Sequence, residues 1–203
     1  MYILIFLNIN NIYISFSQPY NTNKTICQCG IYRTGNDFMN NILTYKEDCK
    51  AGNMELYGGH GNKYSYIIIK NKDTIKIKFL DAWGYRGNYP GQKCDSEDYR
   101  YYNNKFYKVL DKGEVIIYKS PGTLQIFAFS NSSKGIKITH YYYSVAPDSE
   151  IIKLKKRNIK KTFKNNPKLL AILKNDRSNK KLYEYNKKNK KCHLNYLLEK
   201  SKN

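Results

Sequence analysis

The sequence predicts an α+β fold: an antiparallel β-sheet or partial barrel of about six to eight strands, preceded by a short helix and followed by a C-terminal segment of two to three helices. Three observations carry that expectation. Residues 54–144 alternate apolar and polar side chains with period two, and short connections rich in Gly, Asn and Pro interrupt them. After Pro147 the apolar spacing changes to three and four, the period of a helix. Ahead of the sheet, Thr34 is followed three residues later by Asp37, the pattern of a capping box.

From the N-terminus, "MYILIFLNINNIYISFSQ" is apolar and carries no charged side chain. Ser15 and Ser17 flank Phe16 in the small-x-small arrangement that signal peptidase accepts. This predicts a signal peptide over residues 1–17, cleavage before Gln18, and a periplasmic or secreted protein. The apolar run is too short and too polar for a stable membrane span. Residues 18–203 then read as one α+β domain, with 18–29 as a polar lead-in.

The capping box opens a helix predicted over about 35–43, in which Phe38 and Ile42 share a face. "YSYIIIK" and "TIKIKF" follow as strands; in the second, Ile75, Ile77 and Phe79 face one way and Lys76 and Lys78 the other. In "DYRYYNNKFYKVL", Asn103-Asn104 is predicted to be a two-residue hairpin turn, because Asn tolerates positive φ. That turn sets Tyr102 opposite Lys105, Tyr101 opposite Phe106 and Arg100 opposite Tyr107. Tyr99, Tyr101, Phe106 and Leu110 then line a core face, and Arg100, Tyr102, Lys105 and Tyr107 line the other. "EVIIY", "LQIFAF" and "KITHYYYS" complete the sheet over 54–144, with Pro121-Gly122 and "NSSKG" as turns. Residues 150–200 form the basic helical segment. Ile159 and Phe163 pair at i, i+4; Asn166-Pro167 starts a helix whose "KLLAIL" is apolar almost all round; Ser178 caps a last helix carrying Leu182, Tyr185, Cys192 and Tyr196.

The chain holds 36 Lys and Arg against 16 Asp and Glu, a formal net charge of +20. Only five of the basic residues are arginine, and Lys, Asn, Ile and Tyr, the residues of A/T-rich codons, are abundant together. Composition bias is therefore read as the main source of the charge. Its distribution is uneven: residues 151–203 hold 18 basic and three acidic residues, residues 1–150 hold 18 and 13. Any electrostatic function belongs to the C-terminal end, where the lysines read first as the solvated faces of helices packed on the sheet, and a polyanion, either a nucleic acid or an anionic surface, is the alternative partner. Of the five cysteines, Cys49 and Cys94 are the expected disulfide, tying the early segment to the loop after Trp83. Cys27 and Cys29 form a lone C-x-C, and His60, His140 and His193 are scattered, so neither a metal nor another cofactor is expected.

Four blocks together carry a resemblance: "GIYRTGNDFMNNILTY", "WGYRG", "DYRYYNNKFYKVL" and "LYEYNKKNKKCHLNYLLEKS". The pattern GIYxTxxDF, GYR, YRxYNNK and NxLLE resembles a set of secreted Bacteroidota-type proteins with no known activity. The resemblance implies export and a shared fold over most of residues 30–200. It supplies no catalytic or binding residue.

No catalytic signature stands out. "YGGHGN" could present His60 at a tight turn, the centre of a small hydrolase, but lacks a strand-to-helix phosphate-loop context. "DSED", residues 95–98, lacks the spaced oxygens of a calcium loop. The expected function is therefore non-catalytic binding at the cell envelope, through a basic-aromatic sheet face of Trp83, Tyr85, Arg86, Arg100, Tyr102 and Tyr107. Aromatic and arginine side chains suit a glycan or an envelope protein. The alternatives are polyanion binding through the C-terminal lysines and hydrolysis centred on His60.

Overall fold

The computed structural model describes residues 28–49, 54–57, 66–70, 74–87, 97–124, 136–176 and 181–202, and two short strands nearer the N-terminus. Those two, β1 (Leu7–Asn8) and β2 (Asn11–Ile12), pair with each other; the rest of the predicted signal peptide lies outside the described residues, as do His60, Cys94, "NSSKG" and all but Leu124 of "LQIFAF".

The predicted fold class holds. An antiparallel sheet of eight strands is built from β3 (Gln28–Tyr32), β4 (Thr44–Asp48), β8 (Gly84–Gly87), β9 (Glu97–Tyr102), β10 (Lys105–Lys112), β11 (Ile116–Leu124), β12 (Ile136–Ser144) and β13 (Ile152–Lys153). Their spatial order is β13-β12-β11-β10-β9-β8-β3-β4. Helix α1 (Gly35–Met39) joins β3 to β4, so the sheet begins well before residue 54 and the lead-in ends in a strand. A second sheet holds β5 (Met54–Tyr57), β6 (Tyr66–Lys70) and β7 (Thr74–Lys78). Helices α2 (Lys156–Thr162), α3 (Pro167–Asn175) and α4 (His193–Lys200) follow, with a small hairpin of β14 (Tyr185–Asn186) and β15 (Lys191–Cys192) before α4.

Local chemistry explains most of these elements. Thr34 and Asp37 form the full capping box, each side chain bonded to the other's backbone N–H. The helix nevertheless stops at Met39, and Ile42 is exposed rather than sharing Phe38's buried face. Asn103 and Asn104 take φ of 47° and 59°, and the register of the resulting hairpin is the predicted one. Asn166 caps α3 by accepting a hydrogen bond from the Leu169 N–H, with Pro167 at the first helical position. One expected turn and one expected helix start are corrected. Pro121-Gly122 lies inside β11, paired with Thr139 and Ile138, beyond the last β10 partner at Lys119. One side of the strand is an edge there, which tolerates a residue without an N–H. The last helix starts at His193, not near Ser178. Asn186 Oδ1 accepts from the N–H groups of Lys188 and Asn189, and Lys190 takes φ of 51°, so 185–192 closes as a hairpin.

The sheet is covered on both faces. On one face, Val115, Ile117 and Tyr143 pack with Ile159, Leu169 and Leu173 of α2–α3 and with Leu194, Leu197 and Leu198 of α4. On the same face towards β3, Ile31 and Tyr85, with Tyr99, Tyr101 and Phe106, pack against Ile67, Ile69 and Ile77 of the second sheet. On the other face, Tyr32, Trp83, Tyr107, Ile116 and Tyr118 form an aromatic layer with Phe38 of α1, Leu43 and Ile151. No helix among the described residues is long and apolar enough to cross a membrane.

Candidate functional site

The six residues of the predicted sheet-face patch do not form a surface. Arg100, 3% exposed, donates from Nη1 to the Tyr118 hydroxyl at 3.2 Å and from Nη2 to the Ser149 carbonyl at 2.9 Å. Its guanidinium lies over Tyr102, Trp83 and Tyr118, at 5.1, 5.4 and 5.9 Å from the ring centroids, rather than over Tyr107. Trp83 is buried, stacks on Phe38 at 4.4 Å, and donates its indole N–H to the Pro147 carbonyl. Tyr107 is buried among Tyr118 and Tyr142, and Tyr102 is half-buried at its edge. Tyr85 points to the opposite face of the sheet and stacks on Tyr99; burial and the nearby Glu97 push its hydroxyl pKa well up. Arg86 is held by Asp98 through a two-pronged ion pair, 2.7 and 3.1 Å. The physical reason is cover: α1 and the 146–151 segment close over this face. Arg100 in β9 and Trp83 just before β8 are core because backbone carbonyls of that segment satisfy their donors.

The other predictions separate in the same way. Cys49 bonds Cys29, not Cys94, because β3 and β4 are neighbours and their register sets Cys29 opposite Glu47, close to Cys49. Of "DSED", Glu97 and Asp98 open β9, and both carboxylates take part in ion pairs, with Lys108 and Arg86. Burial opposes the ionised Glu97, yet hydrogen bonds from Lys108 and Tyr99 and the charge of Lys108 outweigh it and hold its pKa below the usual glutamate range.

A different site emerges at the C-terminal end: a cleft of about 790 Å³ between the end of α3, the β14–β15 hairpin and α4. Helix α3 contributes Ala171, Ile172 and Asn175, with Asp176 as its C-cap; the hairpin contributes Tyr185, Asn186, Lys187 and Asn189; α4 contributes His193, Tyr196, Leu197 and Lys200. Glu184 completes the lining. The spacing 193, 196, 197, 200 places one face of α4 along the cleft. Tyr185 and Tyr196 are 50% and 38% exposed, among the most open large rings in the described part of the protein.

Contacts among the lining residues join the elements that form the cleft. His193 Nε2 lies 3.0 Å from Asp176 Oδ2, joining the start of α4 to the end of α3. The His193 ring runs nearly parallel to that of Tyr196, at 6.2 Å between centroids. The backbone N–H groups of His193 and Leu194 donate to the carbonyls of Glu184 and Leu182. On the far side, Asn195 is buried: its amide oxygen accepts from the Val115 N–H, and its NH₂ donates to the Val115 carbonyl and to Asp111. Asp111 also accepts from the Cys192 N–H at 2.6 Å.

An imidazole–carboxylate pair serves nucleophilic catalysis when it faces a hydroxyl or thiol, and the described lining contains no Ser, Thr or Cys. The nearby Cys192 thiol is buried, donates to the Tyr183 carbonyl, and is pushed up to about 12 by burial and by Asp111. Among the described residues no three of His, Cys, Asp and Glu converge as a metal site would need. The sequence reading missed this cleft because Asp176 and His193 stand 17 positions apart, with Tyr185 and Tyr196 further separated by the hairpin. The one available signal was the Asn-Lys run 186–190, which can make a turn as readily as a helix.

Comparison with protein-family models, with curated proteins and with solved structures finds no match for the chain. The cleft is therefore interpreted from its own chemistry.

Proposed function

We propose that this is an exported, non-catalytic glycan-binding protein that holds its ligand in the cleft between α3, α4 and the β14–β15 hairpin. One observation carries the reading: two open tyrosine rings, Tyr185 and Tyr196, share a concave surface with the amides of Asn175, Asn186 and Asn189 and with charged groups of both signs. Sugar rings present apolar C–H faces that stack on aromatic side chains and an edge of hydroxyls that exchange hydrogen bonds with amides and carboxylates. A drug-sized ligand site commonly occupies about 300–1,000 Å³, a range that includes this cleft. Export is supported by the small-x-small sequence at Ser15 and Ser17 and by the Cys29–Cys49 disulfide, which belongs to an oxidising compartment. The resemblance to secreted Bacteroidota-type proteins agrees with it.

The test is a glycan-array screen of the full chain, followed by calorimetric titration of the best oligosaccharide. Tyr185→Ala with Tyr196→Ala is expected to weaken binding tenfold or more while leaving the circular dichroism spectrum and melting temperature intact, since both rings are open to solvent. Unchanged affinity in that double variant overturns the cleft as the binding site.

A further inference from the structure

Residues 151–175 contain nine basic side chains and no acidic one: Lys153, Lys155, Lys156, Arg157, Lys160, Lys161, Lys164, Lys168 and Lys174. All nine are exposed. Among the described residues none of them forms an ion pair. Longer stretches without a carboxylate occur at residues 1–36 and 115–147, but they hold only two and three basic residues; nine in 25 residues is a local concentration beyond the lysine bias of the whole chain. Six of these charges sit on the two consecutive short helices α2 and α3, whose apolar sides, Ile159, Leu169 and Leu173, are buried; Lys153 ends β13, Lys155 is the N-cap of α2, and Lys164 lies in the turn between the helices. Like charges this dense repel one another, and an anionic partner relieves that repulsion.

The same charged surface leads into the cleft. On α3, Lys168 stands three and four positions before the lining residues Ala171 and Ile172, hence on the same side of the helix and one turn earlier. Lys174 adjoins Asn175 at the cleft, and Lys187 and Lys200 are part of the lining itself. The open tyrosine rings belong to the cleft, and the α2–α3 surface adjoining it carries charge. Eight of the nine cations are lysine, compact point charges on flexible stems that attract carboxylate or sulfate without the fixed fork of arginine.

Resting on the reading of the cleft as a glycan site, we propose that its ligand is an acidic polysaccharide. Its sugar rings occupy the cleft, and its repeating anionic groups follow Lys200, Lys187, Lys174 and Lys168 onto the α2–α3 surface. The experiment titrates the full chain with an oligoguluronate, a polymer of carboxylated sugars, and with neutral maltohexaose, at about 50 and 200 mM NaCl, where a contact built on several cations weakens steeply. The charge reversals Lys168→Glu and Lys174→Glu are combined in one variant, and Tyr196→Ala is the second. Expected is binding of the oligoguluronate that falls tenfold or more with salt and tenfold or more in each variant, with maltohexaose at least tenfold weaker. Equal binding of maltohexaose overturns the acidic class and leaves the cleft reading intact. Oligoguluronate binding that responds to the lysines but not to Tyr196→Ala removes the cleft reading and this proposal with it. Tighter binding of double-stranded DNA or of anionic phospholipid vesicles, with the same lysine dependence, also overturns the proposal and makes the surface a general polyanion site.

Discussion

Arg100 sits in the middle of a β-strand and keeps its guanidinium among three aromatic rings, with one bond to a tyrosine hydroxyl and one to a backbone carbonyl. Among the described residues no carboxylate forms an ion pair with it. A buried cation of this kind is tolerated because the ring faces carry negative partial charge and the Ser149 carbonyl points at it. The side chain ties the 146–151 segment to the sheet, and so keeps Trp83 and Tyr107 dry. Arg100→Met retains much of the volume but leaves the Ser149 carbonyl and the Tyr118 hydroxyl without this donor. It is expected to lower unfolding free energy by about 2–3 kcal/mol, read from the midpoint of urea denaturation. Glycan affinity of the folded variant should be unchanged, because the cleft lies elsewhere; a loss of affinity with unaltered stability would return Arg100 to the binding surface.

The junction of α4 with the β10–β11 hairpin decides where the cleft can form. Asn195 pairs with both backbone groups of Val115 at 3.0 Å, as a neighbouring strand would. Gly113 permits that approach: a Cβ there would stand 2.7 Å from the Asn195 amide carbon. Asp111 follows a register shift after Val109, and it receives both the Asn195 amide and the Cys192 N–H. Such an irregularity re-aims side chains along a strand. Asn195→Leu removes three hydrogen bonds and leaves the Val115 N–H buried without a partner. The expected loss is about 2–3 kcal/mol of stability, measured by urea denaturation. Ligand affinity should fall with it, because Tyr196, Leu197 and Lys200 ride on the same helix. Full retention of both would mean that α4 is held by its apolar face alone.

For the whole molecule, the sheet edges and their closure matter most. β4 lies at one edge of the eight-stranded sheet and β13, two residues long, at the other. The first edge is bolted to its neighbour by Cys29–Cys49, which closes a loop of sequence separation 20 around α1. Restricting the unfolded chain in this way stabilises by about 3 kcal/mol, so Cys29→Ser with Cys49→Ser should lower the melting temperature by several degrees. Reductant should produce the same shift in the native sequence and none in the variant; an unmoved melting temperature would show that the edge needs no covalent tie. The sequence by itself determined the fold class, the Asn103-Asn104 turn with its register, the Thr34 capping box and the Asn166-Pro167 helix start. Each depends on residues within a few positions of one another, where φ preference and side-chain-to-backbone bonds act without help. Tertiary structure alone decided which faces are covered, which cysteine Cys49 meets, and that Asp176, Tyr185, His193 and Tyr196 share one cleft. Alternation assigns Arg100 and Tyr107 to a face of the sheet, but only the distant 146–151 segment and α1 determine whether that face is wet. The cleft likewise exists because α3, a hairpin and α4 converge on one core, and convergence of elements far apart in the chain leaves no periodic trace in the sequence.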